Sequence, residues 1–187
     1  MSLQRGKAFE PFVQAIDGTG ADYRTGVGTY FFGQTGLLTF GDGSHAWGGL
    51  FNPDDSGIHL GWNGFTVTNY SPEPFTVEVW LLNHSLGKGT ISRNVASANQ
   101  AIRPVPIPKV ELRDADRLYE APKDGRFSFV RIAEPKATLT EHDFPGLILL
   151  PPGSSVIAFL RSPEAGTVRS RVAFGWWEGA DVKERRR

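Results

Sequence analysis

Residues 51–82 are FNPDDSGIHLGWNGFTVTNYSPEPFTVEVWLL, which predicts two long β-strands joined by a polar turn that contains proline. In the second strand the residues at 75, 77, 79 and 81 are all apolar, and a period of two is typical of a strand with one buried face. Trp80 and Leu82 lie on the opposite face, which is too apolar to be left in water. A crossing loop, the N-terminal segment or a neighbouring subunit could cover it, and we predict that the cover includes the N-terminal segment of another copy.

The first strand of this pair changes its pattern half-way along. The apolar residues at 58, 60 and 62 share one parity, whereas Phe65 and Val67 share the other, and Gly64 lies at the change. An extra residue at a β-bulge would produce such a shift. We therefore predict a bulge near Gly64.

The composition favours many short strands and turns over helices. The 187 residues include 22 Gly, 13 Pro, 13 Phe and 5 Trp, residue types that are common in strands and turns. With about eight to ten strands, the chain is expected to be all-β and to form a single jelly-roll β-sandwich. Besides the pair above, strands are predicted at 27–32, 37–40, 46–51, 127–133, 147–150, 156–161 and 168–177.

Three segments have weaker patterns. Residues 103–109, RPVPIPK, carry proline at alternate positions and should run extended as a crossover or an edge, because proline donates no backbone hydrogen bond. Residues 113–120, RDADRLYE, are predicted to form a short helix. Residues 83–101 are predicted to be a loop with one strand near residues 90–95.

An N-terminal arm, residues 1–26, precedes the predicted sandwich domain of residues 27–187. Phe9, Phe12, Val13 and Ile16 have the spacing of a short amphipathic helix, with Pro11 in its first turn. An extended arm that inserts its two phenylalanines into a partner fits the same residues. The four apolar residues are candidate interface residues in either case.

Charge and composition exclude several classes of partner. Twenty basic and twenty acidic residues cancel, so we expect no nucleic-acid partner. The arginines at the C-terminus lack interleaved aromatic residues, and we interpret them as a solvated end. Neither a typical secretion signal nor a run of about 18 apolar residues is present, so we expect no membrane partner. The absence of Cys excludes disulfides and thiolate metal sites.

No pattern in the sequence predicts an enzyme, a metal site or a cofactor. The four His residues are scattered, and Glu141-His142-Asp143 is interpreted as a solvated turn because adjacent residues of an extended chain point to opposite faces. No Gly-x-Ser-x-Gly motif occurs, so a nucleophilic serine at a sharp turn is not indicated. Whether Glu78 and Glu178 meet across the sandwich stays open at this point.

The tryptophans have two interpretations, because a large amphipathic side chain either fills a core or binds a partner. Parity favours the core for Trp62 and Trp176. Trp80, Leu82 and Trp177 are candidate interface residues, since each lies on the face opposite to its apolar neighbours. Trp47, Trp80 or Trp177 could instead stack on sugar rings.

Three motifs carry a resemblance to known proteins: Phe51-Asn52-Pro53 with Ser56-Gly57, the run from Leu150 to Gly153, and the closing Val-Ala-Phe-Gly-Trp-Trp-Glu of residues 172–178. They resemble an uncharacterised family of small proteins from spore-forming bacteria. The layout is similar to jelly-roll subunits of bacterial surface filaments and endospore appendages, and more distantly to virion and tumour-necrosis-factor-like sandwiches. Subunits of that kind insert an N-terminal arm into the next subunit, but the cysteines that often cross-link them are absent here.

We therefore hypothesise a structural subunit on a cell or spore surface, whose arm docks on a neighbouring copy and builds an extracellular head-to-tail filament. The partners implied are other copies of the chain. The alternative is a carbohydrate- or ligand-binding β-sandwich that forms a discrete, virion-like or tumour-necrosis-factor-like oligomer, with a surface glycan as its partner.

Overall fold

The computed structural model describes residues 24–83, 89–142, 148–163 and 165–180. These residues form two antiparallel sheets packed face to face, which confirms the all-β sandwich. The described strands are β1 (Tyr30–Gln34), β2 (Leu38–Gly41), β3 (His45–Phe51), β4 (Ile58–Asn69), β5 (Phe75–Leu82), β6 (Thr90–Ile91), β7 (Val95–Ser97), β8 (Glu111–Leu118), β9 (Arg126–Ala133), β10 (Thr138–His142), β11 (Ile148–Leu150), β12 (Ser155–Leu160) and β13 (Thr167–Ala180).

The strand order is that of a jelly roll. Sheet A runs β10-β4-β13-β1-β7, with β11 also on β4 and β2 also on β13, and sheet B runs β6-β8-β3-β12-β5-β9. The pairing is nested along the chain: β1 and β2 pair with β13, β3 with β12, β4 with β10 and β11, and β5 with β9. This wrapping of one long antiparallel hairpin into two sheets confirms the jelly-roll prediction.

The main core lies between the sheets, and the predicted bulge helps to build it. Gly175 of β13 lies opposite Gly64, but the next residue, Trp176, lies opposite Trp62, so Asn63 is the extra residue. Because of this insertion, Ile58, Leu60 and Trp62 on one side of the bulge and Phe65 and Val67 on the other all face the core. The bulge prediction is confirmed.

A second, smaller apolar cluster lies on the outer face of sheet B. It is formed by Trp47, Phe51, Leu82, Ile157 and Phe159. All six residues of β12 are buried as a result, since this strand is covered on both faces.

The chain itself supplies much of the cover of this outer cluster. The end of β8 and the connection from β8 to β9 lie over it, so that Leu118 and Ala121 pack against it. Gly89 lies against the Trp47 ring and Gly125 against Leu82, in both cases without room for a Cβ. A crossing loop, one of the three covers considered above, therefore contributes to the even-numbered face, and a contribution from another copy's arm stays a prediction.

The predicted helix at residues 113–120 is wrong, because residues 111–118 form strand β8. This strand pairs with the edge of β3 that lies opposite β12. Two of its carboxylates accept hydrogen bonds from backbone N–H groups within residues 36–39 of the same chain. Gly36 N donates to Asp114 Oδ2 at 2.9 Å, and Thr39 N donates to Asp116 Oδ2 at 3.1 Å. Burial raises the pKa of the Asp114 carboxyl, while the bond from Gly36 partly opposes this shift.

The remaining predictions for local structure have mixed outcomes. Glu141 and His142 belong to strand β10 and do not form a turn, whereas Asp143 lies outside the described residues. Two short strands, β6 and β7, occur within residues 83–101, where one strand was predicted. Residues 103–109 form no strand, in agreement with a crossover.

The Asn52 motif of the resemblance has a structural role. The Asn52 side chain is buried, and its Nδ2 donates to the carbonyls of Ile58 at 2.9 Å and Leu150 at 3.1 Å. Its Oδ1 accepts from Ser56 Oγ at 2.6 Å. This amide joins the turn before β4 to strand β11, and it stabilises the end of the sandwich without exposing a reactive group.

Candidate functional site: open surfaces of the sandwich

The interface residues expected from the sequence fall into three groups. The arm residues Phe9, Phe12, Val13 and Ile16 lie outside the described residues. Leu82 is 1% exposed and belongs to the outer cluster, so its side chain has almost no surface left for a partner. Trp80 and Trp177 are half-buried, and Trp80 lies next to a surface that is open in the structure.

Trp80 lies where the outer cluster meets an exposed apolar row on strand β9. Its indole Nε1 donates to Glu78 Oε2 at 3.0 Å, and its ring contacts Phe127 at a centroid distance of 5.4 Å. We define the β9 stripe as Phe127, Val130 and Ile132, which are 51%, 46% and 59% exposed. All three lie on the outer face, because they are opposite Trp80, Glu78 and Thr76 of β5.

Strand β9 is also the last strand of sheet B, and no other strand of the described chain pairs with its outer edge. An edge strand leaves backbone N–H and C=O groups unpaired, and apolar side chains beside them make it a site for strand addition. Arg131 reaches away from the stripe to Glu141 of β10, with Nε 2.6 Å from Oε2. The edge thus combines free backbone groups with an apolar row.

Trp177 lies flat on the outer face of sheet A. Its ring covers Gly61 and Gly179, neither of which has room for a Cβ beneath it. The Arg24 guanidinium lies over the indole, 3.5 Å from the ring centroid. Trp177 Nε1 is buried and has no hydrogen-bond partner among the described residues. Trp177 therefore holds the point where the N-terminal arm leaves the sandwich.

An open region of sheet A surrounds Phe32, which is 52% exposed. One cleft of about 290 Å³ lies on its β4 and β10 side, and another of about 400 Å³ lies on its β7 side. Ala173 lines both clefts, and Gly175 lines the first. The sequence does not single out Phe32, because its neighbours give no reason to separate it from the core.

A polar cleft of about 510 Å³ lies beside the turn before β4, lined by Asp54, Asp55, Asn83 and Glu111 among others. Arg113 in this cleft pairs with Glu111 and extends over the Phe51 ring, 5.2 Å from its centroid. The charges of Arg113 and Glu111 therefore offset each other. No group of three His, Cys, Asp or Glu residues suited to a metal ion occurs in the described parts of the chain.

Glu78 and Glu178 have separate structural partners. Glu78 pairs with Arg161, whereas Glu178 Oε1 accepts from the backbone N–H groups of Lys109 and Val110, both at 2.9 Å. Glu178 thus attaches the proline-rich crossover to β13.

His45 lies near the Glu78–Arg161 pair. Its Nδ1 accepts a hydrogen bond from Ser162 N at 2.8 Å, which requires an unprotonated Nδ1. Burial and, next, the positive charge of Arg161 lower the pKa of His45 below 6.5, while Glu78 partly opposes them. The neutral ring has a structural role at the end of β12.

Among the residues that the structure describes, no helix is long and apolar enough to cross a membrane. A protein family of unknown function, DUF6143, matches residues 13–183. The chain belongs to this family. No curated protein and no solved structure gives a significant match. Membership of an uncharacterised family is thus confirmed, whereas the likeness to filament subunits and the origin in spore-forming bacteria stay predictions.

Proposed function

We propose that this protein is a structural subunit that assembles with further copies of itself into an extracellular filament or appendage. The β9 stripe carries the proposal, because it places three half-exposed apolar side chains on a strand whose outer edge is unpaired in the described structure. In this proposal the N-terminal arm of one copy adds to β9 of the next copy and covers the stripe.

The composition of the arm suits this surface. Alternate residues Phe9, Pro11, Val13 and Ala15 are all apolar, so an extended arm would present one apolar face. Pro11 is compatible with an edge position, where its missing N–H costs no ladder bond. An extended arm places Phe9 on this face and Phe12 on the other, and burial of Phe9 would contribute on the order of 2 kcal/mol.

The arm and the β9 strand that would receive it lie on different sides of the sandwich, and this arrangement favours an open polymer. The arm leaves beside β1, near the β7 side of sheet A, whereas β9 lies at the opposite side of the sandwich, next to β10 and β4. Residues 17–23 alone span at most about 25 Å when extended, so an arm can reach well beyond its own domain. Different surfaces of each copy then meet, and such contacts propagate unless rotation closes a ring.

Negative-stain electron microscopy and sedimentation velocity of the full chain test this function. We expect filaments or a ladder of large species from the full chain, and a folded monomer after deletion of residues 1–16. Polymerisation of the truncated protein would show that the arm mechanism is wrong. A full chain that stays monomeric over a wide concentration range would contradict the function itself.

Single substitutions locate the acceptor surface. Val130→Lys and Ile132→Lys should prevent assembly, because each places a charge within the apolar row that the arm must cover. Ile107→Lys is a matched control, since Ile107 is 86% exposed and lies outside β9. Equal effects of all three lysines would contradict the proposed acceptor.

A further inference from the structure

We propose that the outer face of sheet A around Phe32 binds a neutral oligosaccharide. The Phe32 surface is defined here by Gln34, Asn63, Thr66, Thr140 and Ala173 around the exposed Phe32 ring. This site is separate from the β9 stripe, since it lies on the other sheet. It would give an assembled filament, or a single copy, a means of recognising a glycan.

The shape of the surface suits the ring of a sugar. Phe32 stands between the clefts of about 290 and 400 Å³, so both sides of its ring border open space. Volumes in this range match small-ligand sites. Ala173 and Gly175 add almost no side chain to the floor, which lets a flat ligand approach the sheet closely. A pyranose ring can stack its C–H groups on Phe32 while its hydroxyls point sideways.

Several polar groups beside Phe32 are neutral amides and hydroxyls. Tyr30 Oη lies 3.2 Å from Asn63 Oδ1 and donates to it, which fixes the amide. The Asn63 Nδ2 group and the side chains of Gln34, Thr66 and Thr140 make no hydrogen bond to the described residues. Amides and hydroxyls both donate and accept, as sugar hydroxyls do.

Charge favours a neutral ligand over an anionic one. Glu141 at the rim is paired with Arg131, so it presents no free charge to the clefts. Arg93 borders only the β7 cleft, and a single exposed arginine does not form a converging anion site. A peptide strand is also disfavoured, because β1, β13 and β4 already pair with neighbours on both sides.

The three tryptophans considered for sugar stacking are less suitable than Phe32. Trp47 is 1% exposed, and Trp177 is covered by Arg24 on its outer side. Trp80 borders the β9 stripe, and its indole Nε1 already donates to Glu78. Phe32, in contrast, is exposed and borders an open cleft on each side.

Isothermal titration of the full chain with β-1,4-linked glucose and N-acetylglucosamine hexamers tests the site. We expect saturable binding of one or both sugars with Kd below about 1 mM. Phe32→Ala should weaken binding at least about tenfold, and Ala173→Arg should abolish it by filling the floor. Tyr119→Ala is the matched control, because Tyr119 is a 77% exposed aromatic residue outside the Phe32 surface and the β9 stripe and should leave Kd unchanged.

Four outcomes would overturn the site: no saturable binding of either hexamer, equal losses in Phe32→Ala and Tyr119→Ala, tighter binding of a hexuronate than of both neutral sugars, or dissociation of an oligomer by Phe32→Ala. The last outcome would assign the surface to contacts between copies. Circular dichroism of each variant confirms that it is folded before titration.

Discussion

Gly61 and Gly179 show how single residues shape the surface of sheet A. A Cβ at either position would overlap the indole of Trp177, so the two glycines form the recess in which the ring lies. Arg24 then closes the recess from outside at 3.5 Å from the ring centroid. A side chain that sequence alternation assigned to a partner is thus largely satisfied by its own chain.

Gly61→Ala should lower the free energy of unfolding by about 1–3 kcal/mol, because the new methyl group displaces Trp177 from a packed site. Urea denaturation measures the loss, and a change in tryptophan emission reports the displacement. Gly26→Ala is the control, since a Cβ there meets open space, and its effect should stay within about 0.5 kcal/mol. Equal stability of both variants would contradict the packing described for Trp177.

His45 gives the stability a defined pH dependence. Its pKa is lowered in the folded state, so the unfolded chain binds the proton more readily. This contribution to stability is complete above pH 6.5 and is lost as the pH falls through the folded-state pKa.

His45→Gln should reduce the fall in unfolding free energy that acidification below about pH 6.5 produces. Urea denaturation between pH 7.5 and the onset of carboxylate titration measures it. His142→Gln is the control, because His142 is exposed on β10. Parallel pH profiles for wild type and His45→Gln would show that the Ser162 contact does not depend on a neutral ring.

Strand β4 shows what a single inserted residue does at the scale of an element. Asn63 shifts the parity of the strand, so that the residues before and after it present their apolar side chains to the same core. The shift was readable from sequence because the apolar pattern itself changes phase at Gly64. Local alternation therefore predicts both strands of the opening segment and their irregularity.

Deletion of Asn63 should abolish cooperative folding, because one half of β4 would then turn its apolar side chains to solvent. Asn63→Ala keeps the residue count and should cost less than about 1 kcal/mol. Circular dichroism during thermal unfolding compares the two. A cooperative transition in the deletion variant would mean that β4 can change its register against β13.

Strand β8 and the outer cluster show where local reasoning fails. RDADRLYE looks helical because Asp114 and Asp116 are poor strand formers, yet both accept backbone bonds from residues 36 and 39, about 80 positions away. The cover of Leu82 is equally non-local, since it comes from Gly125 and the loop before it. The arm residues and the exposure of Phe32 depend on tertiary placement, which alternation alone does not specify.

At the scale of the whole molecule, the first strand depends on the last described strand, because β1 pairs with β13. β13 lies at the centre of sheet A and pairs with β1, β2 and β4. Val172, Phe174 and Trp176 of this strand are buried in the main core. A chain without β13 would lose the central ladder of one sheet and one wall of the core.

A chain that ends at residue 166 should therefore lack a cooperative unfolding transition and be digested rapidly by proteases. Deletion of residues 1–16 is the control, and it should retain both the transition and the resistance of the sandwich. Limited proteolysis followed by mass spectrometry distinguishes the two. A stable, protease-resistant core in the shortened chain would show that sheet B and the remainder of sheet A fold independently of β13.

The antiparallel pairing of Tyr30 with Trp177 has a practical consequence. The first strand begins where the last strand ends, so both ends of the sandwich emerge at one pole of sheet A. A linker of a few residues would join them into a circular permutant, and the domain could be grafted into a host loop without stretching either connection. A domain inserted in this way would be attached at one pole only, and its opposite pole would face away from the host protein.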